Sequence, residues 1–328
     1  MKLRHLFERW RPMRRSGIDP VKVFRTVYGR SPEADEESSL IRLGVQPESE
    51  AECFRLVIGH FDHQFQHTPF TVRLGRADVS FLPVAEGFSL ALDTADGSVS
   101  AHLLSGIEYE PHLIAFFKER IKPAMVVVDV GANVGFHSML AARLVGSSGK
   151  VLSFEPNSEN CRLILLSVEE NRFSQVVLYP VAASNQQGHA LFTTHIGSNG
   201  GLLPSAKEVL LNPNCVVVPT FRLDDLIKEK VDFIKIDTEG AEGLVIGGAK
   251  SLIELHRPVV ISEFSMEMLP RVSGISGAEY LTYFQALGYD LHVLDRHGGG
   301  LHPISDVGSF LDNYGEMTRI EDLAFIPK

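Results

Sequence analysis

A glycine-rich turn, an acid set back from it and a later block of acids are the residues whose types and spacing suit chemistry. The turn is Asp129-Val130-Gly131-Ala132-Asn133-Val134-Gly135-Phe136-His137-Ser138, closing the apolar run Met125–Val130. Glycines where a strand passes into a helix let the backbone bend tightly and let a ligand approach it closely. Twenty residues after Gly135, at the end of the next apolar run, stands Glu155. A carboxylate there is placed to accept hydrogen bonds from a ribose diol. The later acids are Asp237, Glu239, Glu242 and Glu263, at or just after the ends of two further apolar runs.

The misfits of the turn narrow the nucleoside. A dinucleotide fingerprint wants glycine at 131, 133 and 136, where this chain has Gly131, Asn133 and Phe136. The bulky Phe136 fills the slot where close packing brings a pyrophosphate onto a helix N-terminus. The loop holds neither Lys nor Arg, so it is no Walker-type phosphate cradle. S-adenosylmethionine has a ribose and an adenine but no phosphate and tolerates both absences; Asp129 suits its ammonium. A tight turn with no ligand is the plainer alternative.

Methyl transfer from a sulfonium mainly needs alignment and a deprotonated acceptor. Asp237 is the first candidate for base or acceptor anchor, and Glu239 the second. Asp237, Glu239 and Glu263 around a divalent cation is a weaker alternative, because no ligand spacing supports it, and no metal is expected. Glu239 and Glu242 also stand where a helix begins, and carboxylates there cap free N–H groups. Glu242 reads equally well as structural. His137 suits either a cofactor contact or helix packing, and His195 either a general base or a solvated loop. Tyr109 and Glu110 border the cofactor entrance or simply begin a helix.

Alternating elements must position these groups. Strands are expected at Met125–Val130, Lys150–Phe154, Gln175–Tyr179, Phe233–Asp237, Pro258–Ser262, Tyr289–Leu294 and Leu323–Ile326, with helices at Phe136–Val145, Ser158–Asn171, Ala241–Leu255 and Gly277–Leu287. Repeated βα units with apolar strands imply a parallel sheet covered on both faces, with ligands beyond the strands' carboxyl ends. Upstream, residues 1–68 read as a helical extension, 69–108 as a small β-rich segment and 109–328 as the main domain. The stretch His195–Pro213 is long, rich in Gly and Asn, and irregular.

The 328 residues carry a formal net charge of −10, which argues against nucleic acid as the partner. Met1–Arg15 runs against that trend, with six basic residues and one acid and with Leu3, Leu6, Phe7, Trp10 and Met13 at helical spacing. Such a face suits an anionic membrane surface or a partner protein; a packed or frayed terminus is the plainer reading. Cys53, Cys161 and Cys215 form no CxxC pattern, and no apolar run approaches the roughly 20 residues of a membrane span. A cytoplasmic protein is expected.

The chain resembles the FkbM-type S-adenosylmethionine-dependent methyltransferases. Val128–Gly135 looks like their first motif and Phe154-Glu155-Pro156-Asn157 like their second. Thr220–Leu226, followed by Ile234-Lys235-Ile236-Asp237-Thr238-Glu239-Gly240-Ala241-Glu242, looks like their later block, and Arg257-Pro258 with Ile261-Ser262-Glu263 fits the strand after it. The resemblance covers about Tyr109 to Ile326. It implies an α/β, Rossmann-like seven-stranded sheet of order 3-2-1-4-5-7-6 with a reversed final strand. It also implies methyl transfer to a hydroxyl oxygen of a glycan, glycolipid or other polar small molecule. Asp129, Gly131, Asn133 and Gly135 would surround the cofactor's methionine half, Glu155 its ribose, and Val181 and Ala182 its adenine. The alternative is a non-catalytic relative that docks to a partner or membrane through Met1–Arg15.

Overall fold

Short β-branched runs between amphipathic helices dictate the architecture. The computed structural model describes residues 79–194, 199–203, 214–297, 300–315 and 318–328. The readings made for residues 1–78, Met1–Arg15 among them, and for His195 lie outside those residues.

The first half of the described chain contains β1 (Val79–Val84), β2 (Phe88–Asp93), α1 (Val99–Leu104), α2 (Pro111–Arg120), β3 (Val126–Val130), α3 (Phe136–Val145), β4 (Lys150–Phe154), α4 (Ser158–Asn171), β5 (Val176–Tyr179), β6 (Ala182–Ala183), β7 (Gly188–Thr193), β8 (Leu202–Leu203) and β9 (Cys215–Phe221). The second half contains α5 (Leu223–Leu226), β10 (Phe233–Ile236), α6 (Glu242–Gly248), α7 (Lys250–His256), β11 (Val259–Ser265), α8 (Met268–Val272), α9 (Gly277–Ala286), β12 (Tyr289–Leu294), β13 (Leu301–Pro303), α10 (Val307–Asp312) and β14 (Ile320–Pro327).

The central sheet is mixed, in the order β13-β12-β14-β11-β10-β3-β4-β5. Strands β11, β10, β3, β4 and β5 run parallel, while β14 runs antiparallel to both β11 and β12. The sheet has eight strands, which corrects the expected seven. The added strand, β13, pairs antiparallel with β12 at the edge. With only three residues, Leu301–Pro303, it carries too little periodicity to show in the sequence. Both faces are covered: Val128, Leu152 and Ile234 belong to one apolar cluster, Val127, Val151 and Phe233 to the other.

Two further differences have physical causes. The helix expected over Ala241–Leu255 is divided at Ala249 (φ −118°, ψ 13°) into α6 and α7. There Gly248 lies so close to the Ser184 carbonyl that a Cβ would sit 1.9 Å from its oxygen, which imposes the kink. The strands β6, β9, β7 and β8 form a second, four-stranded sheet, for which the sequence reading offered no strands; only β8 lies within the stretch read as irregular. The hairpin β1–β2 falls in the predicted β-rich segment and packs on the main domain. Leu90, Ala91 and Leu92 are fully buried, and the open edge of β2 is satisfied by α4. Asn171 accepts from the Ser89 N–H at 2.7 Å, and the Ser167 hydroxyl accepts from the Ala91 N–H at 2.9 Å.

Candidate active site

A cavity of about 370 Å³ opens beyond the carboxyl ends of β3, β4, β10 and β11. That volume suits a small-molecule ligand. Of the nine residues proposed from sequence for the cofactor or for catalysis, the structure brings seven into its wall: Gly131, Asn133, Glu155, Val181, Ala182, Asp237 and Glu239. Asp129 and Gly135 lie behind the wall.

The glycine turn is built by close approach. Gly131 has φ +76°, and a Cβ on it would lie 1.7 Å from the Asp237 carbonyl oxygen, so the ends of β3 and β10 meet only because the side chain is absent. Gly135 has φ +91° and packs where a Cβ would strike Ile164 of α4 at 2.8 Å. It shapes the turn and starts α3. Asn133, at φ 52°, adopts the left-handed conformation that its short polar side chain tolerates, accepting from the Val134 N–H at 2.8 Å. Its amide also donates to Asn199 Oδ1 at 2.9 Å, tying the turn to the second sheet.

Glu155 is 4% exposed at the end of β4. Its Oε2 accepts from the Asn133 N–H and its Oε1 from the Asn157 N–H, both at 2.8 Å. Burial pushes its carboxyl up to about 7, although those two N–H groups and Asn160 pull the other way. Phe154, Val181 and Ala182 beside it make an apolar wall. Among the described residues no Lys or Arg lines this end of the cavity. Phe136 turns its ring against Phe88 and Tyr109, with centroids 5.7 and 5.2 Å away. These donors and acceptors fit a phosphate-free nucleoside.

Sheet register explains the floor. Ser153, Asp129 and Lys235 are lateral neighbours on β4, β3 and β10, so their side chains share one face. Asp129, fully buried, accepts from the Ser138 hydroxyl at 2.6 Å and stands 3.5 Å from Lys235 Nζ. That ammonium reaches Asp237 Oδ2 at 3.1 Å and donates to the Gly131 carbonyl at 3.3 Å. Lys235 therefore joins the glycine turn to the acidic block. Sequence reasoning passed over it, although a lysine within the apolar run Phe233–Ile236 was the available signal.

The acids then divide by partner. Glu242 is structural: one carboxylate oxygen accepts from the Thr238 N–H, the Thr238 hydroxyl and the Gly240 N–H, fastening the turn that presents Glu239. Glu239 lines the cavity, and burial, then Asp237 and Glu242, push its carboxyl up to about 7. Glu263 on β11 also faces the cavity and is held well above the usual range by burial and then by Asp237. Among the described residues, no group of three His, Cys, Asp or Glu is arranged to hold a metal ion. On the opposite wall stand Tyr109, Glu110 and His137. His137 is buried beside the Phe117 and Phe136 rings, and burial and then the Lys235 charge keep it well below the usual imidazole range.

An α/β sheet with a glycine turn after one central strand and an acid after the next is a methyltransferase-like fold. Residues 129–291, just under half of the chain, match the Methyltransferase FkbM domain. No curated protein sequence matches the chain. Among solved structures it is similar to the methyltransferase FkbM from Methylobacillus flagellatus KT, with 16% identity, a TM-score of 0.39, and coverage of 65% of this chain and 50% of that one. This chain thus spans half the length of that protein. It is also similar to a SAM-dependent O-methyltransferase from Thermotoga maritima, with 14% identity, a TM-score of 0.38, and coverage of 79% and 89% of the two chains. A SAM-dependent methyltransferase from Aquifex aeolicus gives 14% identity and a TM-score of 0.35, covering 68% of this chain and 96% of that one. Among the described residues no helix is long and apolar enough to cross a membrane.

Proposed function

We propose that this protein transfers a methyl group from S-adenosylmethionine to a hydroxyl oxygen of a glycan, glycolipid or other polar acceptor. The observation that carries the reading is one cavity walled at one end by Glu155 and apolar side chains, and at the other by Asp237 and Glu239. Glu155, Asn133 and Ala182 would hold the nucleoside. Bound there, the cofactor supplies an electrophilic methyl on a sulfonium, and every other demand falls on the chain.

Those demands are orientation of the acceptor and removal of its proton. Asp237, held by Lys235 at 3.1 Å, is the anchor: an acid paired with a buried ammonium keeps its place. Glu239 is the better proton acceptor, because a base works best when its pKa lies near the operating pH, and burial raises its carboxyl to about 7. Asp237 thus keeps the anchor role, one of the two offered by the sequence, and Glu239 takes that of base.

Two measurements test the reading. Calorimetric titration should show binding of S-adenosylmethionine and S-adenosylhomocysteine in preference to NAD; preference for NAD would overturn the assignment. With an acceptor in hand, the carboxylate is the active form of Glu239, so kcat should rise with pH through about 7. Glu239→Gln should lower kcat by roughly 10²–10⁴-fold and abolish that rising limb. A variant retaining the limb would remove Glu239 from the role of base.

A further inference from the structure

On the wall facing the acidic block, two buried polar atoms have no hydrogen-bond partner: Glu110 Oε2 and His137 Nε2. They are 3.4 Å apart, and both residues line the cavity. Leaving such atoms unsatisfied costs the desolvation of each unless a ligand completes them. His137 is 5% exposed. The aromatic rings of Tyr109 and Phe136, which stand 6.0 and 5.4 Å from the imidazole, line the same part of the cavity.

Every group in this corner receives a cation. A carboxylate and a neutral imidazole nitrogen are acceptors, and aromatic faces attract positive charge. Asp129 and Asp237 add negative charge nearby and engage Lys235, whose own charge also reaches this corner. A primary ammonium carries three donors and can span two acceptors at this separation. We propose that Glu110 and His137, framed by Tyr109 and Phe136, form a subsite for a primary ammonium group. Burial, and next the charge of Asp237, holds the Glu110 carboxyl up to about 8, as fits a cavity corner lacking its cation.

Two ligands could carry that ammonium: the methionine end of the cofactor or an amino-bearing acceptor. The first source rests on the methyl-transfer reading, and the test keeps the two apart. Calorimetry compares S-adenosylhomocysteine with its deaminated analogue, and separately compares glucosamine with glucose on the S-adenosylhomocysteine-saturated protein. If the cofactor is the source, the deaminated analogue binds about tenfold or more weakly, and Glu110→Gln narrows the gap to about threefold or less. If the acceptor is the source, the analogue binds equally well, glucosamine is preferred over glucose by a similar factor, and Glu110→Gln removes that preference. His137→Leu replaces a buried imidazole lacking a hydrogen bond with an apolar group; it should keep the fold and narrow the same gap, so it decides the matter if Glu110→Gln fails to fold. No amine preference in either arm overturns the subsite. Failure of S-adenosylhomocysteine to bind overturns the methyl-transfer reading instead, and the sugar pair, titrated on the ligand-free protein, still decides the subsite.

Discussion

Replacing Glu155 with alanine is expected to weaken S-adenosylmethionine binding by roughly 10²–10⁴-fold. A carboxylate accepting from two ribose hydroxyls makes two charge-assisted hydrogen bonds, each about 1.5–3 kcal/mol. The same side chain accepts from the Asn133 and Asn157 N–H groups, so its loss also loosens the turn that faces the ligand. Glu155→Gln should retain part of the affinity, since one amide oxygen can still accept while the NH₂ group opposes an N–H donor.

Unfolding does not mimic this result, and pH shows why. The folded pKa of Glu155, about 7, lies above its ordinary value of 4.5, so between those values the native state holds a proton that the unfolded state has released. The contribution of this group to stability therefore falls as pH rises through that window, by a few kcal/mol in all. Glu155→Gln removes that slope and should melt no lower than the parent at pH 8. Calorimetric affinity together with melting temperature at pH 5 and 8 checks both statements. Parental affinity in the alanine variant would remove Glu155 from the cofactor site.

Lys235→Met is expected to destabilise the protein by about 3–5 kcal/mol, because removing one member of a buried ionic cluster leaves the others uncompensated. Burial alone would disfavour the ammonium, yet Asp237, Asp129 and Glu110 hold its pKa above the ordinary lysine value. Without it Asp129, fully buried, keeps only the Ser138 hydroxyl, and the Gly131 carbonyl loses a donor. Adding Asp129→Asn should recover part of the loss, since a neutral amide tolerates the site better than a stranded carboxylate. Urea unfolding of the two single variants and the double variant measures the coupling. A loss below about 1 kcal/mol for Lys235→Met would mean that the cluster contributes little.

Much of the fold was legible because local signals agreed. Phe136–Val145, Lys150–Phe154, Ser158–Asn171 and Tyr289–Leu294 lie where periodicity and capping residues put them. Asn157, for instance, accepts from the Glu159 N–H at the start of α4. The second sheet was not legible: β7 and β9 draw their partners from each other across the irregular stretch, and β6 and β8 have two residues each. Pairing that depends on distant segments leaves little trace in a short window.

The site divides the same way. Gly131, Glu155 and Asp237 could be chosen from the chain alone, because a turn, a following acid and a strand end are defined by neighbours in sequence. The hydrogen-bonding of Glu242 as a turn clasp, the retreat of Asp129 and Gly135 behind the wall, and the bridge from Lys235 to two acids required the sheet. Register sets Lys235 beside Asp129, and register is a property of paired strands. Residue type and spacing thus pointed to the chemistry proposed for the protein. The tertiary structure decided which carboxylates face the cavity and which carry an altered proton affinity, since burial and the proximity of charges exist only once the strands have paired.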